Sequence, residues 1–232
     1  MKTIAAFLGL LFLSGCASVS SLDRPSSYFD STPSSTETSL LSNASSLSNA
    51  EIEDYLNHRI KLPKQSRIAL LKVSDTNAWS NYSGEFNRLN QTIAQDVIGK
   101  LRHSQRVYDA SYLPSMLVPN NRSIQSLRVA AARFQADLLL AYRESCQTFE
   151  KYRFIKSDET KAYCTVEAVL LDIRSGVIPF TMVASNHFTA SKQEIENNFR
   201  ETIKKAELNA IGLSLAQIAE QASGFLDRVE IL

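Results

Sequence analysis

The chain has 232 residues, with 25 lysines and arginines against 24 acidic residues and a formal net charge of +1. A chain so close to neutral lacks the strong positive charge expected of a nucleic-acid-binding protein. Its seven glycines do not cluster, so it has no glycine-rich loop of the kind that binds phosphate groups.

The first fifteen residues have the features of a secretory signal peptide. Lys2 supplies a positive charge, and residues 4–13 form an apolar run of ten. That run is too short to cross a bilayer as a helix, which needs about 20 apolar residues, but it suits a signal peptide. We expect residues 1–15 to be removed from the mature protein.

The residues Leu13-Ser14-Gly15-Cys16 resemble the bacterial lipobox. The resemblance implies that Cys16 becomes the mature N-terminus and that its thiol carries lipid, with palmitate among the acyl chains. Two or three acyl chains anchor a protein stably, whereas one chain does so only marginally. In a Gram-negative bacterium, Ala17 in place of Asp implies attachment to the periplasmic side of the outer membrane. The alternative is an ordinary signal peptide that contains a cysteine.

Residues 17–50 contain thirteen serines, three threonines and two prolines. Because they offer little apolar surface to bury, we expect residues 16–50 to be the lipidated cysteine followed by a flexible linker. The remaining residues, 51–232, are expected to form a single α/β domain.

Apolar periodicity predicts the elements in the first half of this domain. Ser48 and Glu51 have the spacing of a capping box, which indicates the start of a short helix. Strands and helices then alternate. The predicted elements are a helix at 50–59, a strand at 67–73, a helix at 84–103, a strand at 106–113 and a helix at 123–135.

The sequence of the second half of the domain predicts three consecutive strands and a long helix. Arg174-Ser175-Gly176 should connect the last two strands, with the glycine at positive φ. Ser191 and Glu194 have capping-box spacing and are expected to begin the final helix. The strands are predicted at 136–152, 161–173 and 177–189, and the core stripe of the helix at Ile195, Phe199, Ile203, Ala206, Ala210 and Leu213. The order β-α-β-α-β-β-β-α predicts one mixed sheet with helices packed on it.

Four segments of this domain resemble a bacterial lipoprotein pattern: RIALLKV, RVYDASYLPS, LRVAAARFQADLLLAY and EAVLLDIRSGVIPF. They are similar to the rhombotarget lipoproteins. More loosely, they are similar to the α/β domain of curli-secretion lipoproteins, penicillin-binding-protein activator lipoproteins and the N-terminal domain of the Tol-system β-propeller protein. The resemblance covers about residues 60–225 and implies an α/β fold with an envelope role. The glycine-poor loop at 116–123 departs from the rhombotarget pattern, and no functional residue except Cys16 is carried over.

Cys146 and Cys164 flank the hairpin of the first two of these three strands. Two such cysteines in an oxidising compartment favour a disulfide, which would contribute about 3 kcal/mol through loop-closure entropy. A turn centred on Lys156–Glu159 places Cys146 opposite Val169, so the bond requires a bulge or a turn nearer Ile155. The alternative is two unpaired thiols on neighbouring strands.

No motif in the sequence indicates an enzyme, a metal site or a cofactor. The three histidines, His58, His103 and His187, are scattered. Neither a C-x-x-C redox motif nor an H-E-x-x-H zinc motif occurs. The G-x-S-x-G turn of many serine hydrolases is also absent from the sequence. We therefore expect a non-enzymatic protein without metal or cofactor.

The segment 142–164 interleaves aromatic and basic side chains, and tyrosine, phenylalanine and arginine are enriched in the cores of protein interfaces. We expect it to contact a partner through Tyr142, Phe149, Tyr152, Arg153 and Phe154. The alternative is a hairpin whose aromatic side chains pack across strands while its charges face water.

Together these features predict a lipid-anchored, periplasm-facing lipoprotein that binds a protein component of an envelope or secretion assembly. The alternative is a lipoprotein that binds a small molecule or a glycan, or a hydrolase whose site the sequence does not reveal. Nucleic-acid binding is not expected. Assembly into a homo-oligomer is a further alternative.

Overall fold

A computed structural model of the chain describes residues 39–41, 47–59, 61–73, 84–152, 157–193, 196 and 198–229. The predicted signal peptide, Cys16 and most of the predicted linker lie outside the described residues. The described part contains four α-helices, one short 3-10 helix and five strands. The helices are α1 (Asn49–Asn57), α2 (Gly84–Leu101), α3 (Ile124–Arg133), α4 (Phe199–Arg228) and the 3-10 helix Ser115–Leu117, and the strands are β1 (Ser66–Lys72), β2 (Val107–Tyr112), β3 (Leu138–Lys151), β4 (Glu159–Asp172) and β5 (Phe180–Ser191).

The five strands form one mixed sheet in the spatial order β2-β1-β3-β4-β5. β1 pairs in parallel with both β2 and β3, and β3, β4 and β5 form an antiparallel meander. The predicted α/β class, with a single mixed sheet and a long C-terminal helix, is therefore confirmed.

The central strands are buried on both faces. Alternate side chains of a strand point to opposite faces of the sheet. Ile68 and Leu70 of β1 lie on the face that packs against α2 and α4, whereas Ala69 and Leu71 lie on the face that packs against α3. Burial on both faces explains why β1 and the first half of β3 read as continuous apolar runs.

The start of α1 is confirmed as a capping box. The Glu51 N–H donates to Ser48 Oγ at 3.3 Å, and the Ser48 N–H donates to a Glu51 carboxylate oxygen at 2.8 Å. None of the nine residues of this helix is buried, so local capping contributes more to it than packing does.

The connection between β4 and β5 is longer than the three predicted residues, since β4 ends at Asp172 and β5 begins at Phe180. Gly176 has the expected positive φ, at 81°. Its N–H donates to the Asp172 carbonyl at 2.8 Å, which closes the turn.

The long helix α4 begins later than the sequence predicts. Ser191 is the last residue of β5, where it pairs with Glu159, and Glu194 lies outside the described residues. The helix starts instead at Phe199, where Asn198 Oδ1 accepts a hydrogen bond from the Glu201 N–H at 3.1 Å. The prediction of a helix start at Ser191 is therefore wrong.

The core stripe of α4 is confirmed only in part. Ala206 and Ala210 are fully buried, but Leu213 is 49% exposed, so its predicted core position is wrong. Ile195 lies outside the described residues. A β-carbon added to Gly212 would come within 3.0 Å of the Ile93 side chain of α2. α4 thus approaches α2 closely at Gly212, where a larger side chain would not fit without a shift of Ile93.

Within the described residues, no helix is both long enough and apolar enough to cross a membrane.

Candidate functional site

The most distinctive surface of the molecule is on the far half of the β3–β4 hairpin. Each strand of this hairpin has fourteen residues, and the first half of β3 lies in the buried core of the sheet. The second half continues past α3, and its register continues unbroken to the pair Lys151–Glu159. The two faces of this extension have different surroundings.

One face of the extension packs under α4. Ala162 and Cys164 of β4 are buried there against Ala206 and Ala210 of the helix. Cys146 lies directly opposite Cys164 in the strand register, and the two are joined by a disulfide with a Cα–Cα distance of 4.2 Å. The register is the one that a turn nearer Ile155 produces, not the one that places Cys146 opposite Val169.

The opposite face, here called the bare face, consists of Gln147, Phe149, Lys161, Tyr163 and His187. These residues alternate with the α4-facing residues along the three strands. Among the described helices, α2 and α4 pack on the other side of the sheet and α3 packs on its buried half. The bare face is accordingly open to solvent, with Phe149 59% exposed and Tyr163 44% exposed.

Three rings form a row across the bare face. Phe149 meets Tyr163 edge-to-face, with ring centroids 5.8 Å apart and an interplanar angle of 89°. Tyr163 in turn lies 5.4 Å from the imidazole of His187 on β5. Edge-to-face pairs at this spacing are favourable beyond the area they bury. The contacts between the rings therefore help to fix their arrangement.

A shallow cavity of about 520 Å³, largely open to solvent, lies beside this row and is lined by Gln147, Phe149, Lys161 and Tyr163. The Lys161 ammonium lies 4.6 Å from the centroid of the Tyr163 ring, a cation–π distance that holds the positive charge at the cavity wall. The cavity therefore offers an apolar aromatic surface, one cation and one amide. Such a lining suits an apolar or aromatic group that carries a carboxylate.

Polar contacts border the bare face where it meets the buried half of the sheet. The Thr165 and Ser185 hydroxyls are 2.8 Å apart, and Arg143 donates to the Glu167 carboxylate at 2.7 Å. Cross-strand pairs of this kind stabilise an exposed sheet surface modestly. They fix the strand positions from which the aromatic row projects.

The structure separates the predicted partner-contact residues. Tyr142 is only 7% exposed and belongs to the core that faces α2 and α4. Burial raises the pKa of its phenol well above 10.0, with further contributions from Tyr112 and Glu144. Tyr142 therefore cannot contact a partner at the surface, and its assignment to that contact is wrong.

The other predicted contact residues have different positions. Phe149 lies on the bare face, whereas Tyr152 is exposed and its ring lies beside that of Phe199 of α4, with the centroids 5.4 Å apart and the planes tilted by 55°. A hydrogen bond to Glu150 raises the pKa of the Tyr152 phenol. Arg153 and Phe154 lie outside the described residues.

Sequence reasoning missed four members of the bare face: Gln147, Lys161, Tyr163 and His187. The signal was present in the spacing, because a turn at residue 155 places Gln147 opposite Tyr163 and Phe149 opposite Lys161. Two of the scattered histidines, His58 and His103, do not join the site. No group of three His, Cys, Asp or Glu side chains that could hold a metal ion occurs among the described residues.

Comparison with known proteins found similar solved structures at low sequence identity. No family model and no curated protein matches this chain. Solved structures that match include the PelC dodecamer from Paraburkholderia phytofirmans, with 11% identity over 70% of this chain and 93% of that one and a TM-score of 0.36. Lipoprotein GNA1162 from Neisseria meningitidis has 13% identity over 68% and 99% of the two chains and a TM-score of 0.34.

A minor lipoprotein from Acinetobacter baumannii matches with 10% identity over 70% of this chain and 90% of that one, and with a TM-score of 0.28. Several of the similar structures are thus bacterial lipoproteins. With TM-scores below 0.5 and identities near one tenth, none of them carries an argument about what this chain does.

Proposed function

We propose that this protein is a lipid-anchored lipoprotein of the bacterial cell envelope that binds a protein partner through its bare face and performs no catalysis. The observation that carries the proposal is the exposed row Phe149–Tyr163–His187. Burying a large aromatic side chain releases about 1.5–3 kcal/mol relative to leaving it in water. A row of such side chains in solvent is therefore a favourable contact surface for a second molecule.

The proposed partner presents an apolar or aromatic side chain with a carboxylate close to it. The aromatic part would lie against Phe149 and Tyr163, and the carboxylate would meet Lys161, whose ammonium already lies at the wall of the cavity. Aromatic side chains such as Phe149 and Tyr163 are enriched in the cores of protein interfaces. Attachment through Cys16 would hold this surface on the periplasmic side of the outer membrane.

The partner contact can be tested by co-purification from solubilised membranes. We expect one defined protein to co-purify with the wild-type chain and to be lost in Phe149→Ser/Tyr163→Ser. A matched control is Tyr108→Ser, because Tyr108 is 57% exposed on β2 at the other end of the sheet. Equal recovery in the double variant and the wild type would reject the bare face as the contact.

The same preparation distinguishes the alternative in which the cavity binds a glycan or another small molecule. A bound saccharide or other small compound that is lost in the double variant, without any co-purifying protein, would contradict the protein-partner proposal.

Anchoring is tested separately through Cys16. In Cys16→Ser we expect the loss of radiolabelled palmitate and release of the protein from the membrane fraction. Cys146→Ser/Cys164→Ser should keep its label, which controls for the other thiols. Label that persists at full level in Cys16→Ser would refute lipidation at this residue.

A further inference from the structure

The strand β5 presents an unusually long unpaired edge. It is the last strand of the sheet, and over its twelve residues it pairs only with β4. No described residue pairs with its outer edge. At about 3.4 Å per residue, that edge extends for about 40 Å.

Within β5 itself, the sequence and the register lack the features that usually blunt a strand edge. Natural proteins discourage edge pairing with charged residues, prolines, bulges or very short strands. The sequence of β5, FTMVASNHFTAS, contains no lysine, arginine, aspartate, glutamate or proline. Its register with β4 runs without a shift from Phe180 to Ser191, so no bulge turns the edge away.

Two exposed apolar side chains lie beside the edge, on the face covered by α4. The direction of α4 along β5 is set by two contacts. The rings of Phe180 and Phe225 are 5.3 Å apart. Farther along β5, the Asn186 side-chain amide donates to Gln217 Oε1 at 3.4 Å. The helix therefore runs antiparallel to β5.

This antiparallel direction places Phe188 of β5 and Leu213 of α4 at the same position along the strand axis. Two further residues along β5 advance about 7 Å, which corresponds to between four and five residues back along α4. Leu213 is one turn before Gln217 and shares its side of the helix, whereas Gly212 faces Ile93 of α2. Leu213 is 49% exposed and Phe188 is 36% exposed.

We propose that the outer edge of β5, flanked by Phe188 and Leu213, is a symmetric interface with a second copy of this chain. β5 pairs antiparallel with β5 of the second copy, which joins the two sheets into one of ten strands. A two-fold axis brings the same patch of both copies together. Identical charged strands would place like charges opposite each other, which is destabilising, but β5 carries no charged side chain and avoids this cost.

A second copy fits this edge better than an unrelated strand because the two-fold axis places an identical set of flanking residues on each side of it. Each copy contributes one Phe188 and one Leu213, and pairing about Ser185 places Phe188 of one copy opposite Met182 of the other on the face covered by α4. The interface shares β5 with the bare face through His187, but it uses the backbone edge of β5 and the side of the sheet covered by α4, whereas Phe149 and Tyr163 lie on the opposite side. Failure of one proposal therefore leaves the other standing.

The oligomeric state of the full-length protein, purified from membranes in detergent, tests the interface. We expect a dimer for the wild type and a monomer for Thr181→Lys/Thr189→Lys, because antiparallel pairing about Ser185 brings these lysines opposite each other. The matched control Gln125→Lys/Val129→Lys adds the same charge to exposed positions of α3 and should remain dimeric. A second variant, Leu213→Ser, should weaken the dimer about tenfold, the ratio that corresponds to about 1.4 kcal/mol.

The orientation of the pair is tested by crosslinking single cysteines placed at Thr181, Val183, Ser185, His187 and Thr189. An antiparallel pair brings a residue close to its own counterpart only near the two-fold axis, so we expect one yield maximum with decreasing yield on either side. Equal crosslinking at all five positions would indicate parallel pairing and overturn the proposal. So would a monomeric wild type, a Thr181→Lys/Thr189→Lys dimer, or adducts to a different protein only.

Discussion

Lys205 is a buried cation held between carboxylates from two other parts of the chain. Its ammonium lies 3.0 Å from Glu85 at the start of α2 and 3.0 Å from Glu196 before α4. Glu196 also accepts a hydrogen bond from the buried Thr202 hydroxyl. This cluster joins α2, α4 and the segment after β5 at the end of the molecule from which α4 begins.

Removing the cation should destabilise the fold strongly. Lys205→Met leaves the Glu196 carboxylate buried without its ion-pair partner, and breaking a buried pair in this way costs about 3 kcal/mol. Lys205→Met/Glu196→Gln should recover much of that loss because no unpaired charge remains. Urea unfolding of both variants measures the difference.

The neighbouring residue supplies a matched control for this prediction. Lys204 pairs with Glu207 at 2.5 Å but is 45% exposed, so Lys204→Met should change the free energy of unfolding by less than about 1 kcal/mol. Equal effects of Lys204→Met and Lys205→Met would show that burial of the pair does not determine its contribution.

The same cluster predicts a dependence of stability on pH. Burial alone would raise the pKa of Glu196, but hydrogen bonds from Thr202, Lys205 and the Gln193 backbone lower it below its usual 4.5. A carboxyl with a lowered pKa in the folded state stabilises the protein above pH 4.5, and this stabilisation is lost as the pH falls through the lowered value. We expect the free energy of unfolding of Glu196→Gln to decrease less steeply than that of the wild type as the pH falls.

Part of the decrease in the free energy of unfolding at acid pH should remain in Glu196→Gln. Burial would raise the pKa of Asp109, but Arg102 and Arg67 lower it overall, so this carboxyl continues to titrate in the same range. An identical slope in the variant and the wild type between pH 5 and pH 3 would contradict the role assigned to Glu196.

At the scale of elements, the disulfide joins the two strands that carry the bare face. Cys146 and Cys164 are separated by 18 positions, and closing a loop of that size stabilises the folded state by about 3 kcal/mol in the loop-entropy description. Cys146→Ser/Cys164→Ser should lose about that amount in thermal or urea unfolding. Titration of free thiols in the unfolded wild-type protein should find neither cysteine reactive before reduction, and two reactive thiols would reject the bond.

The start of α4 gives a second prediction at this scale. Asn198→Ala removes the acceptor for the Glu201 N–H and should cost about 1 kcal/mol. Ser191→Ala, at the position that capping-box spacing favours, should be close to neutral because Ser191 belongs to β5. The reverse order of the two effects would restore the sequence-based helix start.

The sequence predicted most of the fold because its signals there are local. Continuous apolar runs identified the buried strands, and the capping box at Ser48 identified α1. The error at Ser191 arose because strand pairing with Glu159 outweighed the capping-box pattern. The error at Leu213 arose because seven of the thirteen buried residues of α4 are alanine, glycine or serine, which leaves little apolar contrast to mark the inner side of the helix.

The candidate site was less predictable because it depends on register and on which half of β3 is covered. Tyr142 and Phe149 belong to the same aromatic pattern, yet Tyr142 faces α4 within the core and Phe149 faces solvent beyond α3. A displacement of the turn by two to three residues changes which side chains lie opposite each other. α3 covers the first half of β3 and leaves the bare face exposed. The sequence alone does not reveal where α3 packs.

At the scale of the whole molecule, the two surfaces proposed for binding lie on different sides of one sheet. α4 covers one side of the β3–β4–β5 meander and borders the β5 edge, while the bare face occupies the other side. A dimer through β5 would extend the sheet and present two bare faces to partners. Two linked copies of a binding surface raise the overall affinity for a partner with repeated sites.

Site-specific photocrosslinking in intact cells tests whether the bare face is the partner-binding surface. A photoreactive amino acid at position 149 should yield one adduct of defined mass with another protein, and Tyr163→Ser in the same chain should abolish it. The same probe at position 108, on the exposed side chain of β2, should yield no such adduct. No adduct at position 149, or the same adduct with equal yield at positions 149 and 108, would contradict partner binding through the bare face.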